Sequence, residues 1–202
     1  MLPRLISFFL LFACVSLQAT PYRIIVISEG EESPTSSLTS LGQKRADFFV
    51  GFLLGIPPRT PPLFADMVST NSSQMPQHPI TFVGAPSSLP AIQTIAPLAN
   101  VIFFEKAPVT VFTNMPESVQ QFIPQKIQNL KRTLYEGKAY NEKTAVICWK
   151  EKDIPRLLLE LEPRLRNNGS FQKTFPSDHP HSQVFIITYK QGKPSFQVVE
   201  IH

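Results

Sequence analysis

The sequence has 202 residues, of which 43% are hydrophobic and 17% are charged, and its formal net charge is +4. These proportions are ordinary for a globular protein and exclude a disordered chain. The lysines and arginines are scattered, with no basic block interleaved with aromatic residues, so the sequence gives no support to nucleic-acid binding.

The first 19 residues have the three parts of a cleavable signal peptide. Arg4 supplies a positive start, residues 5–15 are almost all apolar, and Ala19 is a small residue at the expected cleavage point. The apolar run is about half the length that a bilayer span needs. We therefore expect export to a periplasm or to the medium, with no stable membrane span after cleavage. Residues 11–14 also resemble a lipoprotein box, so lipid anchoring at Cys14 stays a minor alternative.

Residues 20–202 are predicted to form a single domain with a sizeable core. Because Cys14 would leave with the leader, Cys148 has no partner for an internal disulfide. Cys148 ends the apolar run at residues 145–148, which favours a small buried hydrophobe over a reactive thiol.

Predicted strands and helices alternate along this domain. The run at residues 23–27 is continuously apolar, which is typical of a strand buried on both faces of a parallel sheet. Thr39 is a plausible N-cap for the first helix. Further strands are predicted at residues 80–84, 101–104, 109–112 and 144–149, and a closing hairpin at residues 183–189 and 196–201. Helices are predicted over residues 39–55, 87–99, 117–135 and 154–165.

This alternation predicts a three-layer α/β sandwich, with a mostly parallel central sheet and helices on both faces. In such a sheet, ligands bind beyond the carboxyl ends of the strands. The loops that follow the predicted strands at residues 23–27, 80–84 and 144–149 are therefore the candidate site.

Three segments at those strand ends carry a family resemblance. The first is Ser28-Glu29-Gly30-Glu31 followed by Leu38-Thr39-x-x-Gly42-x-x-x-Ala46, the second is Pro90-Ala91-x-Gln93-Thr94-x-Ala96, and the third is an apolar strand that ends in Cys148-Trp149-Lys150. Their order and spacing resemble the histidine phosphatase (phosphoglycerate mutase-like) superfamily. In that family the corresponding segments are an apolar strand ending in Arg-His-Gly-Glu, an Arg before Ala-x-Gln-Thr-Ala, and a strand ending in Ser-His-Gly.

The resemblance implies that the four phosphate-handling residues have been replaced. Ser28 stands at the position of the first arginine and Glu29 at that of the nucleophilic histidine. Pro90 stands at the second arginine and Trp149 at the second histidine. Lys150 could return one positive charge. The family's acidic proton donor has no clear counterpart, although Glu105 is a loose candidate.

The leading hypothesis is accordingly an exported, catalytically inactive domain of this family, kept for binding an unknown ligand or protein partner, with no cofactor and no metal. The alternative is an exported phosphomonoester hydrolase in which Glu29 replaces the nucleophilic histidine, since carboxylates accept phosphoryl groups in other enzymes. Trp149 would either line a pocket or plug one. His179 and His181, which flank a proline, are more typical of a turn than of a metal site.

Overall fold

A computed structural model of the chain describes residues 20–54, 79–104, 109–111, 123–136, 138–175 and 183–200. The predicted leader at residues 1–19 and the proline-rich stretch at residues 55–78 lie outside the described residues. None of the helices within the described ranges has the length and the apolar character needed to cross a bilayer.

The described strands form one mixed sheet, and its central members are apolar throughout. Every residue of the strands that begin at Arg23 and Thr144 is buried, as expected for strands covered on both faces. The strands are β1 (Arg23–Ser28), β2 (Ile80–Ala85), β3 (Val109–Val111), β4 (Thr144–Trp149), β5 (Gln183–Lys190) and β6 (Lys193–Glu200).

The order across the described sheet is β3-β2-β4-β1-β5-β6. The pairs β3–β2, β2–β4 and β4–β1 are parallel, whereas β1–β5 and β5–β6 are antiparallel. The expectation of a mostly parallel sheet is therefore only partly correct. The closing hairpin accounts for the antiparallel β5–β6 pair, because its two-residue turn at Gln191 and Gly192, both with positive φ, joins the two strands directly. The strand β5 also runs antiparallel to β1.

Helices cover both faces of the sheet, which confirms the three-layer architecture. One face packs against α1 (Ser40–Leu54) and α2 (Leu89–Phe104), and the other packs against α3 (Ile123–Glu136), α4 (Ile154–Leu161) and the short α5 (Gly169–Thr174). Each face has its own core. Consecutive residues of β4, such as Cys148 and Trp149, contribute to opposite cores because side chains alternate along a strand.

Several element predictions differ from the structure: α5 was not predicted, and the strand predicted at residues 196–201 begins earlier, at Lys193. Two further differences have a clear physical reason. Residues 101–104, expected as a strand, are the last turn of α2. The reason is a helical spacing: Ile95, Leu98 and Ile102 recur at intervals of three and four and are buried on one face. The predicted helix at residues 154–165 ends at Leu161, because Pro163 begins a separate 3-10 turn over Pro163–Asn167.

Candidate functional site

The candidate site lies at the carboxyl ends of β1, β2 and β4, where the structure brings the predicted positions together. Ser28 and Trp149 are side by side in the parallel register, and the Glu29 N–H donates to the Trp149 carbonyl at 3.0 Å. Ser28 is fully buried. The loop that follows β1 therefore leaves the sheet directly beside the end of β4, and the start of α2 approaches it from the other side.

Glu29 is held by the residue that precedes α2. The Ser88 hydroxyl donates to Glu29 Oε2 at 3.0 Å, and Ser88 is only 3% exposed. The next residue of the loop is fixed in the same way, since the Gly30 N–H donates to Thr94 Oγ1 at 2.8 Å. Thr94 in turn donates its hydroxyl hydrogen to the Pro90 carbonyl at 2.7 Å. The acidic loop is thus attached to the first turns of α2 by side-chain hydrogen bonds.

The remainder of the loop is attached to α1. Arg45 Nη1 lies 2.8 Å from Glu31 Oε1, so this carboxylate is paired. Thr39 caps the helix as the sequence predicted, because its hydroxyl accepts from the Gly42 N–H at 3.1 Å. Gly30 and Gly42 approach so closely that a Cβ on Gly30 would come within 3.0 Å of the Gly42 Cα.

The positions of the second arginine and second histidine in the resemblance are both occupied by buried apolar side chains. Trp149 is 4% exposed and belongs to the core on the α3 and α4 side of the sheet. Pro90 is buried in the first turn of α2. Lys150 follows Trp149 and is partly buried. At this edge of the sheet, hydrophobic packing therefore occupies two of the four positions that the family resemblance assigns to phosphate binding.

Cys148 is buried, as the sequence predicted, on the face of the sheet that packs against α1 and α2. Burial raises the pKa of its thiol well above the usual range, and the negative charge of Glu29 raises it further. A hydrogen bond with Thr94 offsets only part of this rise in pKa. The thiolate is the reactive form of cysteine, so the geometry disfavours nucleophilic chemistry at this residue.

Three residues considered in the sequence analysis lie outside the described residues: Glu105, His179 and His181. Within the described ranges, no three or more histidine, cysteine, aspartate or glutamate side chains are grouped so that they could hold a metal ion.

The sequence did not reveal the residues that hold the loop in place. Ser88, Gln93, Thr94 and Arg45 provide its side-chain contacts, and Gln93 Oε1 accepts from the Leu38 N–H at 2.8 Å. A signal was present, because Gln93 and Thr94 belong to the second motif of the resemblance, but nothing in the sequence indicated that they bind the backbone of the first.

No protein-family model and no curated protein sequence matches the chain. Solved structures do match its shape. The phosphohistidine phosphatase SixA of Agrobacterium tumefaciens superposes with a TM-score of 0.50 at 10% identity, covering 89% of this chain and 96% of SixA.

Two further structures match less closely. A mycobacterial glucosyl-3-phosphoglycerate phosphatase superposes with a TM-score of 0.44 at 8% identity, covering 88% of this chain and 97% of the phosphatase. A phosphoglycerate mutase of Plasmodium falciparum superposes with a TM-score of 0.42 at 15% identity, covering 89% of this chain and 99% of the mutase. The similarity to SixA, at this low identity, establishes a shared fold, and it confirms the fold that the three motifs predicted.

Proposed function

We propose that this chain, which has the histidine phosphatase fold, is an exported and catalytically inactive domain that has kept the fold for binding or interaction. The proposal rests on one observation. At the strand ends where the resemblance places the phosphate-handling residues, this chain has Ser28, Glu29, Pro90 and Trp149, and their surroundings are packed or hydrogen-bonded.

Electrostatics argue against a phosphate ligand at this position. A cradle of guanidinium and imidazole groups binds phosphate oxygens through charge-assisted hydrogen bonds. Each bond of this kind contributes about 1.5–3 kcal/mol. The absence of two arginines alone therefore costs roughly 3–6 kcal/mol, or about 10²–10⁴-fold in affinity. Glu29 adds a carboxylate at the centre of the site, and its negative charge repels a dianionic ester.

The geometry also gives little support to Glu29 as a phosphoryl acceptor. Its Oε2 accepts a hydrogen bond from Ser88, a neutral group that is itself almost fully buried. A carboxylate nucleophile for a phosphoester needs cations beside the transferred group to neutralise its charge. Arg45 is already paired with Glu31, and Lys150 adds one positive charge in place of the two arginines that the resemblance implies. Binding through this loop therefore fits the arrangement better than phosphoryl transfer does.

A turnover assay tests the proposal. The purified domain beginning at Thr20 is offered several phosphomonoesters, with p-nitrophenyl phosphate as the reference substrate, and phosphate release is measured beside a Glu29→Ala variant. We expect both proteins to give only the background rate. Turnover by the natural sequence that disappears in Glu29→Ala would contradict the proposal and favour the hydrolase alternative.

A further inference from the structure

The first described residues of the domain are attached to a turn at the opposite edge of the sheet from the candidate site. The Thr20 backbone N–H donates to Asn141 Oδ1 at 3.2 Å, and the Thr20 carbonyl accepts from the Glu142 N–H at 3.1 Å. The Tyr22 N–H donates to the Lys143 carbonyl at 2.9 Å. Three consecutive residues of the turn at residues 140–143 therefore bind the segment ahead of β1, two of them at Thr20 and one at Tyr22.

This turn has a backbone conformation that suits the interaction. Glu142 has a φ of +60°, which is uncommon for a residue with a side chain and costs on the order of 1 kcal/mol. The Lys143 N–H donates to the Tyr140 carbonyl at 3.2 Å, which closes the turn. The Glu142 N–H points out of this turn and donates to the Thr20 carbonyl. The unusual backbone conformation and the contact with Thr20 thus occur at the same residue.

We propose that the turn at residues 140–143 is a binding site for the free α-ammonium group of Thr20, created when the leader is removed after Ala19. This inference rests on the proposed export. In the cleavage, water breaks the Ala19–Thr20 amide bond: its hydroxyl joins the Ala19 carbonyl carbon, its remaining hydrogen goes to the Thr20 nitrogen, and the resulting amine is protonated at neutral pH. The nitrogen that donates to Asn141 then carries a positive charge.

A charged donor strengthens the hydrogen bond from the Thr20 nitrogen to Asn141 Oδ1. Hydrogen bonds from an ionised donor are roughly twice as strong as neutral ones. Asn141 is exposed, and its Oδ1 is the acceptor that faces the nitrogen directly.

The same contacts imply an order of events. Pro21 is buried, and the Tyr22 carbonyl accepts from the Tyr189 N–H at 2.8 Å, so residues 20–22 are held by the turn on one side and by β5 on the other. A processing peptidase needs the residues around the scissile bond in an accessible, extended form. We therefore expect cleavage after Ala19 to precede the pairing of residues 20–22 with the turn and with β5.

A comparison of two chain starts tests the ammonium site. One protein begins at Thr20 and the other at Gln18. In the second protein the Thr20 nitrogen is still an amide N–H, and the charged α-ammonium group lies two residues earlier, on Gln18. Asn141→Asp is introduced into each, and the thermal midpoint is measured. We expect a rise of about 2–4 °C in the Thr20 protein, the size of a 1 kcal/mol gain in a domain of this length. In the Gln18 protein we expect a change of less than about 1 °C, typical of an exposed charge.

Asn167→Asp, an exposed asparagine in a different turn, adds the same charge elsewhere and serves as the control. Equal shifts for Asn141→Asp in the two chain starts would overturn the inference, as would a lower midpoint in the Thr20 protein.

N-terminal sequencing of protein exported by an expressing host gives an independent check. Thr20 as the first residue supports the inference, and any other first residue overturns it while leaving export intact. Failure of the host to export the chain would contradict the proposed function, and the thermal comparison would still decide the ammonium site.

Discussion

Individual residues at the candidate site are held by contacts that leave little freedom. Gly30 is an example, since its N–H is bonded to Thr94 and its Cα lies against Gly42. The Leu38 side chain occupies the remaining space, at 3.0 Å from where a Cβ on Gly30 would stand. The glycine is therefore required for the close approach of the β1 loop to α1, whatever the loop binds.

Gly30→Ala is predicted to destabilise the domain by about 1–3 kcal/mol, because the added methyl group collides with the Gly42 backbone as well as with a side chain. Urea unfolding measures the change. Gly169→Ala is the matched control: a Cβ at Gly169 meets nothing within 4 Å, and the residue opens α5, so alanine should be neutral or stabilise by up to about 1 kcal/mol. Equal losses of stability in the two variants would contradict the steric explanation.

The sequence predicted which positions would meet at this site but not how they are held. Glu29, Pro90 and Trp149 could be placed because the motifs of the resemblance lie at the ends of elements: Glu29 follows β1, Pro90 is in the first turn of α2 and Trp149 ends β4. The bond from Ser88 to Glu29 joins residues 59 positions apart and depends on the rotamer of each side chain. No local pattern records such a contact, since it arises only when β1 and α2 are brought together.

At the scale of elements, a partly buried polar network joins α3, the turn after α4 and the closing hairpin. Glu162 is 4% exposed, and Arg164 donates to both of its carboxylate oxygens, at 2.7 and 2.8 Å. Arg164 Nη1 also donates to the Gly192 carbonyl at 2.9 Å, in the hairpin turn. The hydroxyls of Tyr135 and Tyr189 are 2.5 Å apart, and burial raises the pKa of both phenols. These contacts connect segments that are distant in the chain.

Glu162 makes the stability of the domain depend on pH. Burial alone would raise the pKa of its carboxyl, but hydrogen bonds from the Arg164 side chain and backbone, aided by Tyr189, outweigh burial and hold this pKa below the usual range. A carboxyl with a lowered pKa in the folded state stabilises that state above its unfolded pKa of about 4.3. The contribution is lost as the pH falls through the folded pKa.

Glu162→Gln is therefore predicted to lower the free energy of unfolding by about 1–3 kcal/mol at pH 7, through the loss of charge-assisted hydrogen bonds. The difference from the natural sequence should shrink as the pH falls below about 4. Urea unfolding at several pH values measures it. Glu160→Gln, an exposed acid on α4, is the control and should have little effect at any pH. A difference for Glu162→Gln that stays constant with pH would contradict the assignment of the lowered pKa.

Long apolar strands and amphipathic helices were predictable from the sequence, whereas a short apolar run next to a helix was not. The strands β1, β4 and β5 follow directly from continuous apolar sequences with β-branched residues. Residues 101–104 have the same composition but continue α2, because a short apolar run is compatible with either structure and the helix before it determines the outcome. α2 also carries Pro97 in its interior, where proline removes a backbone hydrogen bond, and the helix predicted over residues 87–99 already included it.

At the scale of the whole molecule, we propose that the fold has been kept without the chemistry. The chain shares its fold with SixA, and at its strand ends Pro90 and Trp149 are buried apolar side chains. A fold does not by itself imply a function, and function depends on the residues of the site. The central claim is consequently electrostatic: this edge of the sheet does not bind a phosphate dianion.

Calorimetric titration of the domain beginning at Thr20 with inorganic phosphate tests that claim most directly. We predict no saturable heat at phosphate concentrations up to about 10 mM, which corresponds to less than about 3 kcal/mol of binding free energy. Saturable binding with a dissociation constant of about 0.1 mM or lower, weakened by Lys150→Ala but not by the control Lys152→Ala, would contradict the account.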